Sequence, residues 1–208
     1  MKNILLIVLL FSVSYAVNAQ ELKFKVNGVK DTTVHLIRYF GKNLYYADTA
    51  EMKNGTVTFD GSKQKAGILG LLMPEQKFFE FIYNDEDVHL ETNVADFVKN
   101  MKVKKSVENK IFIQYIQFLN ANKAKANDLN AKKNGLDKES EEYKKFEADL
   151  KAVSEEVLAY QKKLITDHKD KLVSKVVNMS IEIVVPEAPK DEAGNIIDSN
   201  YRFKYYRE

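Results

Sequence analysis

Residues able to do chemistry are sparse in this chain, and their spacing keeps them apart. The histidines are His35, His89 and His168, and none has an acidic residue at zinc-ligand spacing. His35 alternates with Val34 and Leu36, which predicts the solvent face of a strand. His168 lies near the end of a helical stretch, where the helix dipole favours a cation. Two acidic runs invite a calcium reading, Asn84-Asp85-Glu86-Asp87 and Asp191-Glu192-Ala193-Gly194-Asn195. A calcium loop alternates its ligands and needs a glycine at position six and a glutamate at twelve. The first run is contiguous and lacks the glycine, and both are read as turns. Lys99, Lys102, Lys104, Lys105 and Lys110 form a basic cluster without the interleaved aromatics of a nucleic-acid surface, which predicts a solvated junction. No glycine-rich phosphate loop, nucleophile elbow or suggestive carboxylate pair occurs. Cysteine is absent, which removes disulfides, thiol redox chemistry and thiolate metal sites together. The residues therefore predict no catalytic group, no metal site and no cofactor.

The composition points the same way. The 208 residues are 45% hydrophobic and 30% charged with a formal charge of +2, ordinary for a globular protein and unsuited to a nucleic-acid partner. Met1 to Ala19 reads as a secretory signal. Lys2 supplies the positive start, Ile4 to Phe11 the apolar run, and Val17-Asn18-Ala19 the small residues for cleavage between Ala19 and Gln20. The apolar stretch is about 16 residues, short of the roughly 20 that a spanning helix needs. The expected address is the periplasm, without stable membrane insertion after cleavage.

Those few residues must be positioned by two kinds of element. From Glu21 to about Lys105 the hydrophobic period is two, with Leu22, Phe24 and Val26 alternating with lysines. Asn54-Gly55 between strand-like runs predicts a type I′ hairpin, and Ala66 to Met73 predicts a central strand. About seven short strands with frequent turn signals predict an antiparallel β-sandwich-like domain over 20–104. Ser106 is placed as the N-cap of a helix from Val107, with Ile111, Tyr115, Phe118 and Leu119 as its buried stripe. Asn134-Gly135 ends it, and a second helix follows with Glu141–Lys145 and Glu147–Lys151 as expected ion pairs. The class is α+β, with a helical hairpin domain over 105–180. Leu172 to Met179 is expected to dock at the hairpin base, Ile181 to Val185 to be extended, and 181–208 to be a Pro-containing extension opening a further element.

The second helix carries a heptad stripe of Tyr143, Phe146, Leu150, Val153, Val157, Tyr160 and Leu164. It serves either as core or as the interface of a homodimer. The aromatics fit regular knobs-into-holes layers poorly.

In this order the elements resemble the region ahead of the redox domain in exported thioredoxin-like proteins of Gram-negative bacteria, relatives of the TlpA/ResA group. The likeness rests on Phe24-Lys-Val-Asn-Gly28, Asp48, the Asn54 to Gly61 hairpin, Ser106-Val-Glu108-Asn109 ahead of Phe112 and Tyr115, and Val185-Pro186-Glu187-Ala188-Pro189 before Tyr201 to Tyr206. It implies a β-rich domain of unknown function and a helical region, in a cell-envelope protein whose Cys-x-x-Cys centre follows. Without cysteine, no catalytic residue carries over. The resemblance implies an N-terminal fragment whose partner is a downstream domain of the same polypeptide or a protein client. The alternative is a self-contained binding or scaffolding protein that dimerises through the hairpin.

Overall fold

The computed structural model describes residues 20–181 and 185–207. The expected signal, its cleavage residue Ala19 and most of the extended run 181–185 lie outside the described residues.

The alternating N-terminal half forms two four-stranded sheets. Its strands are β1 (Glu21–Asn27), β2 (Thr32–Phe40), β3 (Asn43–Met52), β4 (Thr56–Asp60), β5 (Gly67–Leu72), β6 (Phe78–Tyr83), β7 (Val88–Asn93) and β8 (Lys102–Lys105). One sheet has the order β4-β1-β7-β8 and the other β3-β2-β5-β6. Period-two burial is literal in β1, where Leu22, Phe24 and Val26 are buried and the lysines between them exposed. Phe24 meets Phe79 and Phe81 of the other sheet at ring distances of 6.0 and 4.9 Å, so the inner faces join into one core. The predicted β3–β4 turn is present, with Asn54 at φ 49° and Gly55 at φ 70°. As expected, β5 is central in its sheet.

Two strand predictions need correcting. The sheets are not wholly antiparallel, because β1 pairs with β7 in parallel, Leu22 beside Val88 through Asn27 beside Asn93. The chain crosses through the whole second sheet between them, and a crossover returns a strand in the same direction. The lysine-rich junction also holds a strand. In β8, Lys104 pairs with Glu91 at 3.4 Å and Lys105 with Asp87 at 2.6 Å. Charged edges of this kind discourage further strand addition.

Helix α1 spans Val107–Lys133, α2 Glu141–Asp167, α3 Leu172–Ser180 and α4 Tyr201–Tyr205. The chain divides into two compact units, the first ending at Gln117 and the second beginning at Phe118. The opening turns of α1 thus belong with the sheets, although the sequence places the boundary at 104/105.

In the second unit, the rest of α1 and α2 form the expected hairpin. Phe118 stacks on Tyr160 at 4.1 Å, Lys125 pairs with Glu156, and Lys133 reaches both Glu147 and the Tyr143 ring. Partners that rise along one helix and fall along the other define an antiparallel pair. Gly135, at φ 85°, makes the turn, and Ser140 caps α2 by accepting from the Tyr143 amide. Neither expected ion pair forms as drawn. Glu141 pairs with Lys144, Glu147 with Lys133 across the hairpin, and Lys151 with Glu155. At exposed positions such alternatives differ by only a few tenths of a kcal/mol. Val173 and Val177 of α3 are fully buried, Ser174 donates to the Ile165 carbonyl, and Met179 is exposed rather than docked. His168 is the C-cap of α2, at the helix end where the sequence places it.

Candidate functional site

The first turns of α1 lie against the edge of β6, and side-chain hydrogen bonds fix that placement. An edge strand presents unpaired amides and carbonyls. Asn109, fully buried, answers them as a strand would. Its Oδ1 accepts from the Ile82 amide at 2.8 Å and its Nδ2 donates to the Ile82 carbonyl at 2.6 Å. The helix N-terminus is held by Glu86. One carboxylate oxygen accepts from the Ser106 hydroxyl at 2.6 Å and the Glu108 amide at 3.1 Å, and the other from the Val107 amide at 3.1 Å. Ser106 in turn accepts from the Asn109 amide at 2.8 Å, the N-cap bond expected of it. Its φ of 125° lies where a non-glycine residue is strained, and these bonds hold it there. Asn84 donates to the buried Glu108 carboxylate at 2.9 Å.

The acidic turn is therefore spent on structure. Glu86 caps α1, while Asp87 accepts from Lys105 and from the Glu21 amide. The Lys105 bond, and secondarily the Glu21 amide, hold the Asp87 carboxyl below the usual range. The second acidic run closes on itself, Asp191 accepting from the amides of Ala193 and Asn195. His35 contacts Thr49 at 2.9 Å and the Tyr46 ring, and His89 faces Glu21 at 2.7 Å. Among the described residues no cluster of His, Asp and Glu could hold a metal ion.

Between β6, the 96–101 turn and the docked α1 lies an open apolar groove of about 360 Å³. Phe79, Met101, Phe112 and Ile113 are its buried floor, and Phe78, 41% exposed, stands at its lip. Phe79 and Phe97 pack at 5.5 Å. The turn is pinned from both sides, by Thr92 donating to the Phe97 carbonyl and Gln117 to the Val98 carbonyl. Asp96 and Glu80 are its acidic groups. Asp96 caps its own turn through the Lys99 amide, and Glu80 takes the Tyr39 hydroxyl. That bond, with partial burial, pushes the Tyr39 phenol up to about 12. An apolar cleft of this kind can hold an apolar side chain or ligand.

The heptad stripe is elsewhere, along α2 in the second unit. Val153 and Leu164 are buried, while Tyr143, Phe146, Leu150, Val157 and Tyr160 are half-buried. Sequence reasoning missed the groove. In α1 it chose Ile111, Phe118 and Leu119 alongside Tyr115, whereas Phe112 and Ile113 are the more deeply buried. Asn109, Phe112, Ile113 and Ile116 follow the spacing of one helical face, and a polar residue on that face was the available signal. Nothing in Glu86 itself announces a cap for a helix twenty residues on.

No helix among the described residues is long and apolar enough to cross a membrane. No curated protein matches the chain, and no solved structure does. One family model matches residues 21–112, both sheets and the docked first turns of α1. The matching model is that of the family described as Domain of unknown function (DUF4369).

Proposed function

We propose that this chain is the non-catalytic N-terminal region of a periplasmic thioredoxin-like protein, and that it recognises the client of the redox domain or positions that domain. The apolar groove carries the reading. It lies largely within the matched stretch 21–112 and presents Phe78 beside a preformed hydrophobic floor. Apolar clefts of this kind bind exposed hydrophobic segments of partner proteins. The absence of cysteine supports a division of labour in which thiol chemistry belongs to another domain. The resemblance in the strand, hairpin and helix-opening motifs names the kind of domain.

The first test is the coding sequence beyond codon 208. An in-frame thioredoxin-like domain with a Cys-x-x-Cys pair is expected, and a stop codon directly after Glu208 overturns the reading. At the protein level, Phe78→Asp should abolish capture of a client by the full-length protein while leaving its reduction of a small disulfide unchanged.

A second reading is a self-contained scaffold that dimerises through the hairpin. It draws on the part-exposed stripe residues Tyr143, Phe146, Leu150, Val157 and Tyr160. Light scattering decides it, since a monomer at tens of micromolar excludes that dimer.

A further inference from the structure

The groove and the edge of β6 form one surface, and the backbone of that edge sets the shape of what the groove receives. Along an antiparallel strand, backbone groups point alternately toward one neighbour and away from it. Two sets of bonds fix the alternation in β6. The Lys77 carbonyl accepts from the Met73 amide at 2.8 Å, closing the turn from β5. Both backbone groups of Ile82 turn the other way, to Asn109 on α1. Phe79 and Phe81 therefore face β5, while Phe78, Glu80 and Ile82 face outward.

Among the described residues no strand lies beyond β6. Asn109 covers the Ile82 groups alone, and the amides and carbonyls of Phe78 and Glu80 have no hydrogen-bond partner among the described residues. They point to the side on which α1 and the groove lie, and Phe78, Phe79 and Glu80 all line the groove. A bare row of donors and acceptors beside an apolar floor is answered by another strand. Added antiparallel, such a strand exchanges both bonds with Phe78 and with Glu80. Its residue opposite Phe79 then lies on the Phe79 face of the sheet, toward the floor.

Charge agrees with this occupant. Glu80 and Asp96 line the groove, and the hydrogen bonds they accept leave their charge in place. No lysine or arginine among the described residues lines it. Of the lysines nearby in sequence, Lys77 pairs with Glu75 at 2.7 Å, and Lys99 and Lys102 line a separate hollow with Glu91. An anionic lipid would meet two carboxylates and leave the backbone row unanswered.

We propose that the groove is a strand-addition site, which takes an extended segment of a client protein along β6. The segment is apolar at the residue opposite Phe79 and basic at the residue opposite Glu80. The proposal rests on the reading of the groove as a client site and adds the conformation and sequence it selects. Asn109 ends the site, because it already occupies the edge at Ile82.

The full chain is screened against displayed linear peptides, and a selected peptide is remade with a methyl group on one backbone nitrogen at a time. Methylation of every second amide should weaken binding about tenfold, while the amides between tolerate it, because only alternate amides face β6. In the protein, Glu80→Pro removes an outward donor that β5 does not use, a substitution that edge strands accept. It should weaken the same peptide about tenfold with unchanged circular dichroism, whereas Glu80→Gln, which keeps the donor, costs only a few-fold. The methylation series leaves the protein untouched, so it decides the matter if Glu80→Pro does not fold. Peptides lost with Phe78→Asp but without any alternation along their backbone overturn strand addition and leave the groove as a client site. Peptides that ignore Phe78→Asp, or a screen that yields none, overturn both. A dimer in light scattering that Glu80→Pro dissolves, or uptake of laurate in place of peptide, gives the edge to a second copy or to a lipid and also overturns the proposal.

Discussion

Asn109 is the residue on which the docking of α1 most depends. Its single side chain answers both backbone groups of Ile82, and no other residue type of that size offers a donor and an acceptor so spaced. Asn109→Leu should therefore cost about 3 kcal/mol in urea unfolding, because it leaves a buried amide and carbonyl unpaired. Asn109→Asp should fail as well, since a carboxylate accepts but cannot donate. Tyr39 gives a separate residue-scale test. Its phenol is pushed up to about 12 by the bond to Glu80 and by burial. A raised folded value favours the protonated, folded form, so this contribution is complete below pH 10 and is lost as pH rises through about 12. Glu80→Gln should bring the Tyr39 transition down toward 10 in an ultraviolet titration, and an unmoved transition would mean that the carboxylate is not its cause.

At the scale of elements, two turns rely on glycine for different reasons. Gly135 joins α1 to α2 at φ 85° with open space where a Cβ would stand. Gly135→Ala then costs only the left-handed backbone penalty, about 1 kcal/mol. Gly55 has φ 70°, and a Cβ there would lie 2.6 Å from the Val26 carbonyl oxygen. Gly55→Ala should cost about 3 kcal/mol, because backbone must move as well. Chemical denaturation of the two variants side by side checks the ranking. The same elements show what a sequence can disclose. Alternation in β1, Asn54-Gly55, Ser106 and the α2 stripe act within a few residues, so their types declare the structure. The parallel β1–β7 pair, the β8 strand, the Glu86 cap and the groove depend on residues tens of positions apart, and no local pattern encodes them. Exposed ion pairs are a third case, where several partners lie within reach at nearly equal energy and Glu147 chose Lys133 over Lys151.

At the scale of the whole molecule, the acidic groups of the first unit link its strands to pH. Asp87 ties β7 to β8 through Lys105 and to the start of β1 through the Glu21 amide, and these bonds depress its carboxyl. A depressed carboxyl contributes stability above its unfolded value near 3.8 that is lost as pH falls through the lower folded one. Asp87→Asn should lower the unfolding midpoint at neutral pH and flatten its fall on acidification, a comparison that thermal melts from pH 7 to 3 provide.

The parallel pairing of β1 with β7 has a further consequence, in time rather than in energy. Leu22 meets Val88 only after the chain has passed through the entire second sheet. Until that later segment is available, β1 can pair only with β4, and its other edge stays open. Folds dominated by such distant pairings close in milliseconds to seconds, not microseconds. The second edge of β1 can therefore be covered only once the seventh strand has followed.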